Sequence, residues 1–196
     1  MNRTYLKVAR DMFFVQGIWT LYFLAIILVI HFIQMFMGGY FNGDWGADSG
    51  FFLSSQVSSR IYMLIIGIIT AVYFPRFFVE NGVTRRDTFR GIILGTLALA
   101  FAITLVTFLL GSLESFLIKG AGFSFTLEKV ILLDGDDLAD IQSNILANVM
   151  LAIVLPSAGE VGGPLFMTLI MATVGKYLLY CAGFLIGVGF CRFNPL

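Results

Sequence analysis

Apolar residues along this chain gather into long runs that alternate with short polar stretches. Crossing ~30 Å of hydrocarbon at 1.5 Å per residue takes ~20 predominantly apolar residues. Four stretches meet that requirement: about Phe14–Met37, about Ile61–Phe78 with Pro75 near its end, Gly91 to about Ser112, and about Phe166–Phe190. The third carries no charge, and the fourth carries only Lys176. The pattern predicts an all-α, polytopic transmembrane helix bundle of about four spans, with residues 1–196 forming a single domain.

Two shorter pieces are patterned without being long enough to span. Residues 3–13 place Tyr5, Ala9, Met12 and Phe13 on one helical face and Arg3, Lys7 and Arg10 on another. That is the pattern of an N-terminal interfacial helix. Residues 141–155 set Ile141, Ile145, Val149 and Ile153 at i, i+4 spacing, with Gln142, Asn144 and Asn148 off the stripe and Pro156 as a stop. They predict an external amphipathic or re-entrant helix before the last span. Merging 145–171 into an extra span runs against Pro156, Glu160 and Gly162-Gly163-Pro164.

Composition makes the membrane reading firm. Apolar residues are 59% of the 196 and charged residues 12%, too little charge to cover a soluble domain of this size. The net charge of zero says nothing about partners, but its distribution does. Arg3, Lys7 and Arg10 precede the first span, Arg76, Arg85, Arg86 and Arg90 lie between the second and third, and Arg192 follows the fourth. The opposite side holds Arg60, Lys119 and Lys129 with most of the acids. Eight basic residues against three, on alternating loops, predict a multi-pass plasma-membrane protein with both termini cytoplasmic. The basic residues before the first run resemble a signal peptide, but the run is about twice the usual length and no small-residue cleavage site follows. It is read as a retained span.

The cytoplasmic loop over 76–90 is charge-dense. Asn81-Gly82 marks a turn, and Thr84 with Asp87 three residues on forms a loose capping box. A helix is expected to open near Arg85 and run into the third span. The stretch Asn81-Gly82-Val83-Thr84-Arg85-Arg86-Asp87-Thr88-Phe89 resembles the segment between the second and third spans of exporter-type bacterial ABC transporter permeases, where Gly-Val-Ser/Thr-Arg-Arg/Lys and an aromatic recur. The fourth span, ending Gly183-Phe184-Leu185-Ile186-Gly187-Val188-Gly189-Phe190-Cys191-Arg192, and the N-terminal amphipathic piece are similar to that family too.

The resemblance implies that the loop is a coupling helix seated on a cytoplasmic ATPase subunit. Arg85, Arg86 and Arg90 would then meet acidic or carbonyl groups, Val83 and Phe89 would supply apolar anchors, and Thr84 would lie in the same ATPase contact. It also implies a homodimer or a heterodimer with a second permease, and a peptide, antibiotic or lipid-like cargo. ATP and Mg would bind the partner, and this chain would bind no cofactor. Such permeases usually have six spans, so four spans imply either a truncated permease or a shorter relative. The alternative from the residues alone is a small polytopic protein with an immunity, scaffold or regulatory role and no ATPase partner.

Enzymatic signatures are missing. No Gly-x-x-x-x-Gly-Lys-Ser/Thr phosphate loop occurs, Gly175-Lys176-Tyr177 being a false start, and neither His-Glu-x-x-His nor Gly-x-Ser-x-Gly is present. No catalytic residue, metal ligand set or nucleic-acid surface is expected. Lys176 is the candidate intramembrane functional charge, against the plainer reading that it snorkels outward or pairs with Glu114 or Glu160. His31, the only histidine, reads as a packing residue. Asp134-Gly135-Asp136-Asp137-Leu138-Ala139-Asp140 fails the EF-hand pattern and reads as a solvated loop. Cys181 and Cys191 are too few for a disulfide framework and read as packing residues. Gly91-x-x-x-Gly95 and Gly183-x-x-x-Gly187 predict close helix approach.

Overall fold

The computed structural model describes residues 4–41, 51–120 and 165–193, and every regular element among them is an α-helix. These are α1 (Thr4–Phe41), α2 (Phe51–Glu80), α3 (Arg85–Gly120) and α4 (Leu165–Phe193). All four are long and apolar enough to cross a membrane, so the chain is a polytopic helical membrane protein. In hydrocarbon the backbone must satisfy its own N–H and C=O groups, which leaves helix as the only conformation for runs of this composition.

Each expected span falls inside one helix, but the helices are longer. Residues 4–13 do not form a separate interfacial helix. They are the first turns of α1, and Val8 and Met12 are buried in the core. Residues 51–60 are likewise the first turns of α2, so Arg60 is not an external loop residue but a helical one, 4% exposed. The expected helix at 141–155, the acidic cluster at 134–140 and Glu160 lie outside the described residues.

Burial runs opposite to that of a soluble protein. Buried positions include Gln16, Thr20, His31, Ser55, Gln56, Ser59, Arg60, Thr70, Thr88, Thr96, Thr104, Thr107, Thr173 and Lys176, whereas Phe14, Leu21, Ile26, Phe101, Leu109, Leu185 and Phe190 are exposed. Lipid solvates an apolar side chain as well as a protein interior does. Polar and small residues therefore join large apolar ones at the helix contacts.

The described chain forms two compact units. The first draws on Met1–Phe23, Ser59–Thr104 and Thr173–Leu196, and the second on Leu24–Ser58 and Leu105–Ala172. In the first unit, glycines bring helices into backbone contact. A Cβ on Gly183 would collide with the Leu64 carbonyl, one on Gly67 with the Tyr180 carbonyl, and one on Gly187 would lie 2.6 Å from the Ala71 Cβ. This is an α2–α4 seam. A Cβ on Gly91 would meet Val8, and one on Gly95 would lie 2.7 Å from the Ala9 carbonyl oxygen, which makes an α1–α3 seam. Both small-residue motifs therefore sit at helix contacts. The core of this unit gathers Val8, Met12, Met63, Ile66, Phe78, Ile92, Leu99, Ala100, Ile103 and Tyr180. In the second unit the Phe52 ring meets Phe108 edge-on at 5.9 Å, and Gly111 gives Phe52 room to approach.

Candidate functional site

The arginine turn is shorter and stiffer than the loop expected over 76–90. Residues 76–80 end α2 and residues 85–90 open α3, leaving only Asn81–Thr84 between them. Gly82 has φ +80, its N–H donates to Val79 O at 3.0 Å, and the Val83 N–H donates to Phe78 O at 3.0 Å. That pair of bonds is a Schellman stop, which needs a left-handed residue at the glycine. Val83 packs on the core cluster that contains Phe78, the apolar contact that accompanies this motif. Thr84 then starts α3, because its Oγ1 accepts from the Asp87 N–H at 3.2 Å and donates to Asp87 Oδ2 at 2.9 Å. The helix opens at Arg85 as expected.

The expected contact residues divide by exposure. Thr84, Arg85, Arg86 and Arg90 are exposed, Phe89 is half exposed with its ring 6.2 Å from Phe184, and Val83 is half-buried. Val83 therefore anchors the turn to its own core more than it offers itself outward. Arg76, one turn before the stop, is held by Glu80, with Nε donating at 2.8 Å.

Deeper in the same unit all four helices contribute a polar side chain to one region. Gln16 of α1 donates through Nε2 to Thr70 Oγ1 of α2 at 2.7 Å. Thr70 donates to Ile66 O at 2.6 Å, and Thr96 of α3 donates to Ile92 O at 2.8 Å. The Tyr180 hydroxyl of α4 lies beside Thr70 and Thr96. It makes no hydrogen bond within the described residues, and neither does Gln16 Oε1. One turn along α1, Thr20 donates to Gln16 O at 2.8 Å and shares a 3.0 Å contact with the Tyr62 hydroxyl. A buried acceptor and a buried donor left over in one place form a site for water or a small polar group.

Lys176 is fully buried, and its Nζ donates to Thr104 Oγ1 at 3.3 Å. It does not snorkel. Arg60 belongs to the same unit, with its guanidinium laid against α4 where Gly175 has no side chain. A Cβ there would lie 3.0 Å from Nη2. Arg60 is thus a second buried cation in this unit, as Lys176 is, and each lies on a helix long and apolar enough to cross a membrane.

His31 has a partner that its sequence surroundings did not reveal. In the second unit its Nε2 lies 2.7 Å from Glu114 Oε1, and Glu114 Oε2 accepts the Phe51 N–H at 2.8 Å. One carboxyl group thereby joins α1 and α3 and caps the first residue of α2.

Among the described residues no three His, Cys, Asp or Glu side chains gather as a metal site. No family model, curated protein or solved structure matches the chain.

Proposed function

We propose that this chain is a permease subunit of an ABC transporter, coupling a cytoplasmic ATPase to export of a peptide, antibiotic or lipid-like substrate. The observation that carries the reading is the turn at Asn81–Thr84. It is stopped on one side by the Gly82 motif, capped on the other by Thr84, and joined without a flexible joint to two spanning helices. A cationic tip built this way passes a push on Arg85, Arg86 and Arg90 directly into α2 and α3. The Lys/Arg bias favours a cytoplasmic position for the tip and both termini of this bacterial plasma-membrane protein.

ATP and its Mg²⁺ are bound by the ATPase, and a second permease chain, identical or different, completes the path. The orphan Gln16 and Tyr180 groups, with Lys176 and Arg60, supply polar contacts along it. The test is co-purification of the full chain with an ATPase subunit in mild detergent. Arg85→Glu with Arg86→Glu is expected to abolish it while leaving a folded, monodisperse membrane protein. Recovery of the native chain without any ATPase across several detergents would overturn the proposal and favour an immunity, scaffold or regulatory role.

A further inference from the structure

Within the first unit, α2, α3 and α4 surround a groove of about 750 Å³. Its walls are apolar, formed chiefly by Ala71, Pro75, Ile92, Phe184, Leu185 and Val188. Pro75 helps to explain its presence: a proline inside α2 has no N–H for the carbonyl four residues back, at Ala71, and its ring pushes that carbonyl aside. Both residues line the groove. Along α2 the lining runs from Ala71 to Glu80, roughly 14 Å of helix at 1.5 Å per residue. That is about half of a ~30 Å hydrocarbon core, the depth of a single leaflet.

The rim is charged. Arg76 and Glu80 line it, but they are hydrogen-bonded to each other. Arg85 remains, exposed at the first position of α3, where the helix N-terminus adds partial positive charge. One turn deeper Thr88 lines the same groove. It is 2% exposed, and its hydroxyl has no hydrogen-bond partner among the described residues. Its hydroxyl is therefore an uncommitted donor in the groove wall. An apolar slot one leaflet deep, with a cation at its mouth and an unsatisfied hydroxyl just inside, is complementary to a molecule with an acidic head and a hydrocarbon tail.

We propose that the groove binds one anionic phospholipid of the leaflet at the arginine-bearing end, with an acyl chain against Phe184, Leu185 and Val188 and the phosphate on Arg85 and Thr88. The inference needs the membrane assignment but not the ATPase.

The test is native mass spectrometry of the full chain in detergent, with phosphatidylglycerol or phosphatidylcholine of identical acyl chains added. The native chain is expected to retain phosphatidylglycerol up to about fivefold better, because both lipids offer the phosphate but the quaternary ammonium of phosphatidylcholine repels the exposed Arg85. Arg85→Gln brings the two lipids to parity. Thr88→Val lowers retention of phosphatidylglycerol about fivefold. Leu185→Trp, which fills the slot from its lipid-exposed wall, lowers retention of both, and Val188→Phe replaces it should that variant not fold. Equal retention of the two lipids by the native chain overturns the proposal. So does native-like retention in both Arg85→Gln and the slot-filling variant, or a slot that excludes lipid and is protected only when an ATPase is added. Arg86→Glu with Arg90→Glu lies outside the groove, so it separates the two readings. It is expected to release an ATPase while lipid retention stays unchanged.

Discussion

In the unit that carries the arginine turn, helices meet through glycine seams, an apolar core and several polar contacts, among them Gln16 on Thr70 and Lys176 on Thr104. In the unit that contains Glu114, a single carboxyl group ties α1 to α3 and caps α2. The first arrangement spreads its cohesion over many contacts. Each neutral hydrogen bond in a membrane is worth ~0.6 kcal/mol, because the separated helices also find partners. Among the described residues of the second, one part-buried acid joins three helices, and its loss strands an imidazole and a backbone N–H. A distributed interface can change one contact at a time, and that suits the unit expected to move. A concentrated one is intact or broken.

That contrast orders the expected effects on thermal unfolding of the purified chain in one detergent. Glu114→Ala should be the most damaging, by about 3–5 kcal/mol as for breaking a buried pair from one side. Glu114→Gln should cost less, since it still accepts the Phe51 N–H. If Glu114→Ala melts no earlier than the glycine variants, the contrast between the units is broken. Gly183→Ala comes next, at about 1–3 kcal/mol for overpacking against the Leu64 carbonyl. Gly189→Ala, where a Cβ meets nothing within 4 Å, sharpens it by gaining up to ~1 kcal/mol from helix propensity. Gly82→Ala should cost about 1 kcal/mol through its left-handed backbone and should weaken ATPase co-purification if the turn must stay rigid. Gln16→Leu should cost least, ~0.6 kcal/mol. A large loss there would show that the polar region is a keystone and not one contact among many.

Span positions were legible because ~20 apolar residues in a row admit few other solutions, and the start of α3 was legible because Thr84 and Asp87 carry capping chemistry. The first turns of α2 were misread because Ser55, Gln56, Ser59 and Arg60 look like a loop beside an apolar run. Their i, i+1, i+4, i+5 spacing is helical, and in a membrane the polar stripe is the one that packs inward. Residues 4–13 were misread by the same logic, since basic residues on one face resembled a surface helix while Val8 and Met12 were contact residues. The partner of His31 stands 83 positions away, at Glu114. No local pattern encodes a pairing of that range. The groove arises from where three helices diverge, which periodicity does not report.

The buried threonines have one further consequence. Thr20, Thr70, Thr96 and Thr104 each direct the hydroxyl proton to the carbonyl oxygen four residues back on their own helix. An oxygen whose proton is committed in this way has only lone pairs left to offer across the helix boundary. Across the helix boundary these four threonine oxygens therefore accept and do not donate. Gln16 Nε2 on Thr70, Lys176 Nζ on Thr104 and the Tyr62 hydroxyl on Thr20 are donors that meet this lining. The same backward bonds that hold each helix to itself thus select hydrogen-bond donors as neighbours.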